Sequence, residues 1–348
     1  MRLKDLFVEK LRGFGIERIG TSCRTSLKDP IRSMVLQIMN SNAKVLVGDH
    51  GVKFSFSLDG KKLDSPPQAI VGYGENAILG KENFLDDFPY IAIDCRFYDL
   101  HTEKEKAKLK LQVTQTLGIV REFMWDEKLV IAGKDFGVGV YCERLEEFLK
   151  QEGIDEVVLL DPKGERVFDN KKAKCYVIGG VVDKSENRDL TSKIGEELES
   201  AGIKCDRRRI ELRGDIVGVP DRINHIAEIV LKVVIDGLEV EEAIRDVQPV
   251  VVARWRLRKE IPKKSVRLRL KDKTIRVVAK STFDELSWLN VQRKDFYEVC
   301  REQRIYVVSD SVMEEIRRLE WDERKKFYVK NFSTSFENSS TSSSSPSK

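Results

Sequence analysis

A chain of 348 residues with 41% hydrophobic content has the length of two or three domains and the composition of an ordinary soluble globular protein. Its formal net charge of +4 is too small to name a nucleic-acid partner by itself, so the distribution of charge has to decide. Six scattered cysteines without a CxxC pair, three histidines (His50, His101, His225) far apart, and a longest apolar helix near 226–238 that carries Lys232 and Asp236 exclude a disulfide framework, a metal motif and a transmembrane span. The N-terminus shows no signal-peptide core, and the expectation is a cytoplasmic protein with reduced thiols.

Residues 1–88 lack strand–helix alternation. Pro30–Asn40 reads as a helix with proline near its start. The following KVLVGDHGVKFSFSLDGKKL reads as a meander turning at Gly51 and at Asp59-Gly60. Pro66-Pro67 and glycines 72, 74 and 80 close an accessory domain that offers no catalytic constellation.

From Pro89 the pattern becomes β-α-β. PYIAIDCRF is an apolar strand containing Asp94, and Thr102 caps a long charged helix whose apolar stripe is Leu109, Val113, Leu117 and Val120. KLVIAG reads as a strand, GVGVYCERLEEFLKQEG as a helix and DEVVLLDP as a strand, which predicts a parallel sheet covered on both faces. No GxGxxG fingerprint follows a strand, so a nicotinamide cofactor is disfavoured.

The stretch 173–230 organises the rest. An apolar strand over Cys175–Val182 carries Gly179 and Gly180 near its end and reaches Asp183. Leu190, Ile194, Leu198 and Ala201 form a helical stripe that Gly202 terminates. A strand over Cys205–Leu212 then runs into GDIVGVP, and Asp221 precedes another apolar helix. Twice a strand ends in a glycine-rich loop beside an aspartate, which is where open α/β sheets bind ligands. His225 reads as a packing residue of that helix.

Between Arg254 and Lys280 the chain holds twelve Lys or Arg against Glu260 and Asp272. In SVRLRLKDKTIRVVAK the apolar Val266, Leu268 and Leu270 alternate with Arg267, Arg269 and Lys271, a strand with one buried and one cationic face. Edge protection needs only a charge or two, so density of one sign points to phosphate contacts. Residues 282–333 add helices and one strand, and the tail NSSTSSSSPSK reads as disordered.

Three blocks now carry a resemblance: IAIDCRF (91–97), YVIGGVVDKS (176–185) and RRRIELRGDIVGVPDRIN (207–224). In this order, with a helix between the last two and a basic flank, they resemble the archaeal branch of the SPOUT-class tRNA purine-9 N1-methyltransferases over about residues 89–250. The resemblance implies an α/β fold, a SPOUT-type parallel sheet with a C-terminal trefoil knot, flanked by small N-terminal and C-terminal α+β domains. The domains it implies are an N-terminal accessory domain (1–88), a methyltransferase domain (89–253), a basic C-terminal RNA-binding domain (254–333) and a Ser-rich tail (334–348). It further implies a monomer acting on tRNA without a metal, with S-adenosylmethionine held by Ile178, Gly179, Gly180, Val181, Glu211, Leu212, Gly214, Gly218, Val219 and Asn224. The glycines are expected to leave backbone groups free to clasp that donor.

Guanine N1 bears a hydrogen that must leave, and N1-methyladenine is cationic, so a carboxylate suits either base. The resemblance brings Asp94, Asp183 and Asp221 near the transfer point, with Asp183 the first choice of proton acceptor and mutual repulsion expected if they cluster. Each also has a plainer reading, as a helix cap, a strand-end carboxylate or a partner of a helix dipole. Phosphate contacts are expected from Arg207, Arg208, Arg254, Arg256, Arg258, Lys263, Lys264, Arg267, Arg269 and Lys271. Two alternatives stay open: the same chemistry on another RNA, and an RNA-binding protein whose site has decayed.

Overall fold

The computed structural model describes residues 1–85, 88–182, 189–271 and 273–330 and separates into two compact units, Met1–Pro249 and Val250–Lys348. Asp183 and the Ser-rich tail lie outside the described residues. Among the described residues no helix is long and apolar enough to cross a membrane.

The first unit opens with α1 (Leu3–Gly13), whose Leu3, Phe7 and Leu11 are buried at i, i+4 and i+8. After β1 (Arg18–Thr21), Asp29 accepts the Arg32 amide and Pro30 occupies the first turn of α2 (Pro30–Ser41). There follow β2 (Lys44–Val47), β3 (Ser55–Ser57), β4 (Lys62–Leu63), β5 (Ala69–Gly72) and β6 (Ala77–Leu79), in a sheet ordered β4-β3-β1-β5-β2-β6. The expected meander is therefore replaced by a mixed sheet. β5 is buried at all four positions, as a central strand must be, and it takes β1 in parallel and β2 in antiparallel pairing.

Next come β7 (Tyr90–Asp94), α3 (Glu103–Phe123), β8 (Leu129–Ala132), β9 (Val140–Cys142) and α4 (Leu145–Gln151). β10 (Glu156–Leu160), β11 (Arg166–Val167), β12 (Cys175–Gly179), α5 (Leu190–Ser200), β13 (Lys204–Arg209), α6 (Ile223–Val234) and α7 (Val240–Val247) complete the unit. Their sheet is parallel at each pairing, in the order β11-β13-β10-β12-β7-β8-β9. Thr102 and Glu105 cap α3 reciprocally. The helix expected over 137–153 begins only at Leu145, because Gly137 and Gly139 take left-handed φ and Val140–Cys142 extend along β8. Ala92, Val130, Leu159 and Val177 face Leu145, Leu149, Ile194 and Leu198 on one side of the sheet. By strand alternation Ile91, Ile93 and Ile178 face the other side, where α6 packs on β12 and α3.

The second unit contains α8 (Val250–Lys264), β14 (Val266–Leu270), β15 (Lys273–Ala279), α9 (Arg293–Glu302), β16 (Ile305–Val308), α10 (Asp310–Arg317), β17 (Glu320–Asp322) and β18 (Phe327–Lys330). Its sheet runs β16-β15-β14-β18-β17. Leu268, Val277 and Ala279 pack with Met313 and Ile316 on one face, so the alternation in β14 is real and its arginines face away.

One edge of the parallel sheet is tied by charge. Arg208, 7% exposed, donates to Asp206 at 2.9 Å and pairs with Asp169, while Lys171 bridges Asp206 and Glu156. Burial pushes the Asp206 carboxyl up, but bonds from Lys171 and Arg208 outweigh it and hold the group below its ordinary value. The bond from Arg208 does the same for Asp169. With both folded values depressed, the stability they contribute is present above about pH 3.9 and is lost as pH falls through the folded values. Urea denaturation from pH 6 down to pH 2 is expected to show that acid loss, and Arg208→Gln should flatten it.

Candidate functional site

The carboxyl ends of β7 and β12 lie side by side, with Gly179 paired to Asp94. Immediately beyond, the Gly180 amide donates to the Asp94 carbonyl at 2.7 Å. A Cβ on Gly180 would stand 2.8 Å from that carbonyl oxygen and 3.0 Å from the Cys95 Cα, so this approach of two backbones excludes any side chain. A Cβ on Gly179 would stand 2.7 Å from the Thr191 hydroxyl oxygen, a side-chain rather than a backbone neighbour. The expectation that the Gly180 amide is free for a ligand is therefore corrected: it is spent inside the protein. Val181 and Val182 emerge half-buried, and the Val182 amide donates to His101 Nε2 at 3.1 Å.

A second loop comes off β13. Arg213 and Gly214 both have positive φ (50° and 72°), the pair of values a tight two-residue turn requires. Leu212 and Asp215 bond across that turn, and Asp215 accepts the Val217 amide. Gly218, at φ 97°, gives its carbonyl to the Gln248 side chain at 2.5 Å. Glu211 is paired with Arg209 at 2.9 Å. Val219 donates its amide to the Ile216 carbonyl.

The loop enters α6 through Asp221, which is exposed, and Arg222, which gives no side-chain cap. Gln112 of α3 supplies the missing acceptor, taking the Ile223 amide at 2.9 Å. Asn224 follows, 8% exposed, and its Oδ1 has no hydrogen-bond partner. A buried amide oxygen without a donor costs free energy, and it marks a position where a ligand N–H or O–H would be accommodated. Burial lowers the pKa of neighbouring His225, which favours its neutral form.

Asp183, the third member of the expected aspartate cluster, lies outside the described residues, and Asp94 and Asp221 differ in setting, one fully buried and the other exposed. The Asp94 carboxylate is fully buried and points to the α4/α5 side, opposite α6. There Arg96 grips it through Nε at 3.0 Å and through Nη2 at 2.6 Å, and Arg96 also reaches Glu146 at 3.2 Å and Glu197 at 2.5 Å. Asp94 is thus an anchor for Arg96. Burial acts to raise the Glu146 pKa, but its own backbone amide, Arg144 and Arg96 prevail and lower it.

Several side chains expected to contact phosphate are paired within the protein. Arg208 is buried in the edge network, and Arg207 pairs with Glu199 of α5. Arg254 meets Asp295, Glu298 and Glu302, and Arg258 meets Glu302. Arg256, 3% exposed, pairs with Glu260 and stacks 5.5 Å from the Trp288 ring. Lys263 and Lys264 pair with Glu260 and Glu285. On the face of the sheet away from α10, by contrast, Arg267 and Arg276 are exposed and adjacent, Arg269 lies beside Thr274, and Arg267 sits 6.0 Å from the Phe327 ring. Lys271 is exposed at the hairpin turn.

His101, Gln112, Gln248 and Arg96 are the contributors that sequence reasoning missed. Their bonds to the loops and the carboxylates span 81, 111, 30 and up to 101 residues, so no local spacing signals them.

The model of the tRNA (guanine(9)-/adenine(9)-N1)-methyltransferase N domain matches residues 4–87, and that of the C domain matches residues 254–326. A protein of Thermococcus kodakarensis named tRNA (guanine(9)-/adenine(9)-N1)-methyltransferase is 40% identical over 324 residues, covering 86% of this chain and 88% of the relative. A tRNA (adenine(9)-N1)-methyltransferase of Sulfolobus acidocaldarius is 31% identical over 262 residues, covering 71% and 85%. The crystal structure of Sulfolobus acidocaldarius Trm10 in complex with S-adenosylhomocysteine superposes with a TM-score of 0.62 at 26% identity, covering 87% of this chain and 99% of that one.

Removing one partner of a buried, hydrogen-bonded ion pair strands the other, at a cost of roughly 3–5 kcal/mol. Arg96→Met, which strands the fully buried Asp94 carboxylate, is accordingly expected to lower the unfolding free energy by about that amount, measured by urea denaturation, with Asp94→Leu milder because the stranded Arg96 is the more exposed partner and keeps Glu146 and Glu197.

Proposed function

Since the chain belongs to the archaeal tRNA (guanine(9)-/adenine(9)-N1)-methyltransferase family, we infer that it is an S-adenosylmethionine-dependent enzyme that methylates N1 of the purine at position 9 of tRNA. The observation that carries this is 40% identity sustained over 86% of the chain, through both flanking regions as well as the parallel sheet. We read the end of this sheet as a trefoil knot. What supports it is the return of α6 against β12 and α3 after the chain has already crossed to β13 at the far side of β10. We read the enzyme as a cytoplasmic monomer in which the flanking regions supply RNA-binding surface.

The residues fit the methyl donor. The buried, unpartnered Asn224 Oδ1 suits a hydroxyl or amine donor, and the left-handed backbone at Gly214 and Gly218 bends the loop without side chains in the way. Ile178, Gly179 and Val181 would form the opposite wall, with Leu212 and Val219 at the loop's base; Gly180 and Glu211 contribute by holding backbone. S-adenosylmethionine supplies an already activated methyl group, so the protein has to align the purine and handle a proton. Asp183 follows this wall in sequence and is our choice of proton acceptor for guanine N1. Exposed Asp221, at the mouth of α6, is the alternative.

A purine within folded tRNA must leave its stack to be reached. The cationic sheet face of Arg267, Arg269 and Arg276 beside Phe327, with Lys271 at its rim, is the surface we assign to the RNA backbone. Arg267 and Arg276 are exposed there, while most α8 cations are paired, Arg254 and Arg258 with α9 carboxylates, Arg256 and Lys263 with Glu260 and Lys264 with Glu285.

Incubation with S-adenosylmethionine and unmodified tRNA transcripts bearing guanosine or adenosine at position 9 is expected to yield an N1-methylpurine there, read by nucleoside mass spectrometry and primer-extension stops. Asp183→Asn should cut the rate on the guanosine transcript about 100-fold or more. Absence of methylation on both transcripts would refute the assignment. In filter binding, Arg267→Ala and Arg276→Ala are expected each to lessen the salt slope for tRNA by about 1, whereas Arg256→Met should leave that slope unchanged.

A further inference from the structure

The loop between β7 and α3 ends at His101, directly before the Thr102 cap. Its imidazole is 4% exposed. Nδ1 lies 3.1 Å from the Phe97 carbonyl and 3.2 Å from the Tyr98 carbonyl, and both of these groups only accept. Nδ1 therefore carries the proton. Nε2 is left with a lone pair, and the Val182 amide, which only donates, fills it at 3.1 Å. Both ring nitrogens are committed and the ring is neutral.

This bond has a counterpart two residues earlier, where the Gly180 amide donates to the Asp94 carbonyl. The segment Gly180–Val182 is thus tied at both ends to the one loop that runs from Asp94 to His101. That loop is itself rigid: the reciprocal Thr102–Glu105 cap fixes its far end, and the Asp94–Arg96 pair fixes its near end. The sheet has already ended at Gly179, so Val182 lies beyond its ladder of backbone bonds. What the ring provides is a neutral acceptor at a fixed point, delivered from a different strand.

We propose that His101 is a positioning residue for the methyl donor, acting through the Val182 amide to hold the Gly180–Val182 backbone as one wall of the donor site; this rests on the reading of that segment as donor-binding. Without the acceptor, the Val182 amide turns toward water and the wall loses its second tie. Misplacement of a binding wall by about 1 Å is enough to change rates by roughly 100-fold.

The test uses the full chain. His101→Phe keeps the ring volume and removes both bonds, and His101→Gln returns a neutral acceptor near the Nε2 position. S-adenosylhomocysteine titrated calorimetrically is expected to bind His101→Phe about tenfold more weakly, with His101→Gln restored to within about threefold of the parent. KM for tRNA should stay within about twofold, and KM for the methyl donor should follow the calorimetry. Parent-like binding by His101→Phe overturns the proposal. So does equal weakening in both variants in step with a lowered melting temperature, which is the signature of a purely structural residue. Val181→Arg, in the segment itself, separates the two levels of the argument. If it binds S-adenosylhomocysteine normally, the donor-wall reading fails. If it binds poorly while His101→Phe binds normally, only the role of His101 fails.

Discussion

The approach of the β12 end to the β7 exit constrains everything around it. Two backbones come close enough for Gly180 to donate to Asp94, and that distance has no room for a Cβ. Once the two chain exits are joined, whatever leaves β12 has to travel alongside the loop that follows β7. That loop then becomes the natural source of further ties, of which the bond from Val182 to His101 is one. On the other side of the sheet, α3 reaches the N-terminus of α6 through Gln112. The long helix that follows β7 and the loop that precedes it therefore serve both loops of the site, although neither belongs to the strand–loop–helix stretch in which the motifs lie.

Charge plays two separate roles that composition alone merges. At Asp94–Arg96 and Asp206–Arg208, carboxylates and guanidinium groups are taken out of water in pairs, where their partners fix geometry. On the face of the second unit's sheet the arginines stay exposed, and their field is available to an anionic partner. Between residues 250 and 330 basic residues outnumber acidic ones, yet α8, the most basic helix by sequence, has most of its cations matched by acidic side chains, those of α9 foremost. The surplus is what the hairpin displays. Counting basic residues along the chain marks a region; only the pairing shows which of its cations stay exposed.

The parallel sheet was legible because its strands are short apolar runs with turn residues at their ends, and because α3, α5 and α6 carry plain helical stripes. The arginine alternation in β14 was legible for the same reason, with a period of two over five residues. The N-terminal sheet was not. Its β1 is four residues long, and the pairing of β1 with β5 joins segments about fifty residues apart, which no periodicity records. The stretch at 137–153 was misread because its helical half, LEEFLKQ, lends its period to a preceding GVGVYC whose glycines with positive φ belong to an edge strand.

The site divides along the same line. The glycine loops announced themselves, but the reason for Gly180 did not: sequence offers a flexible residue, and only the fold reveals a steric one. Asp94 illustrates the opposite error. An acidic residue inside an apolar strand at a sheet's carboxyl end invites a chemical role, yet strand alternation had already assigned it to the face of Ala92, under α4 and α5. Counting two residues back along β7 would have directed it away from α6 before any coordinates existed. Parity along a strand is therefore a stronger filter on candidate catalytic residues than residue type. Applied to β13, it turns Arg208 inward on the side opposite Arg207, which lies against α5. Both arginines then end in ion pairs of the sheet itself, Arg207 with Glu199 and Arg208 with Asp206.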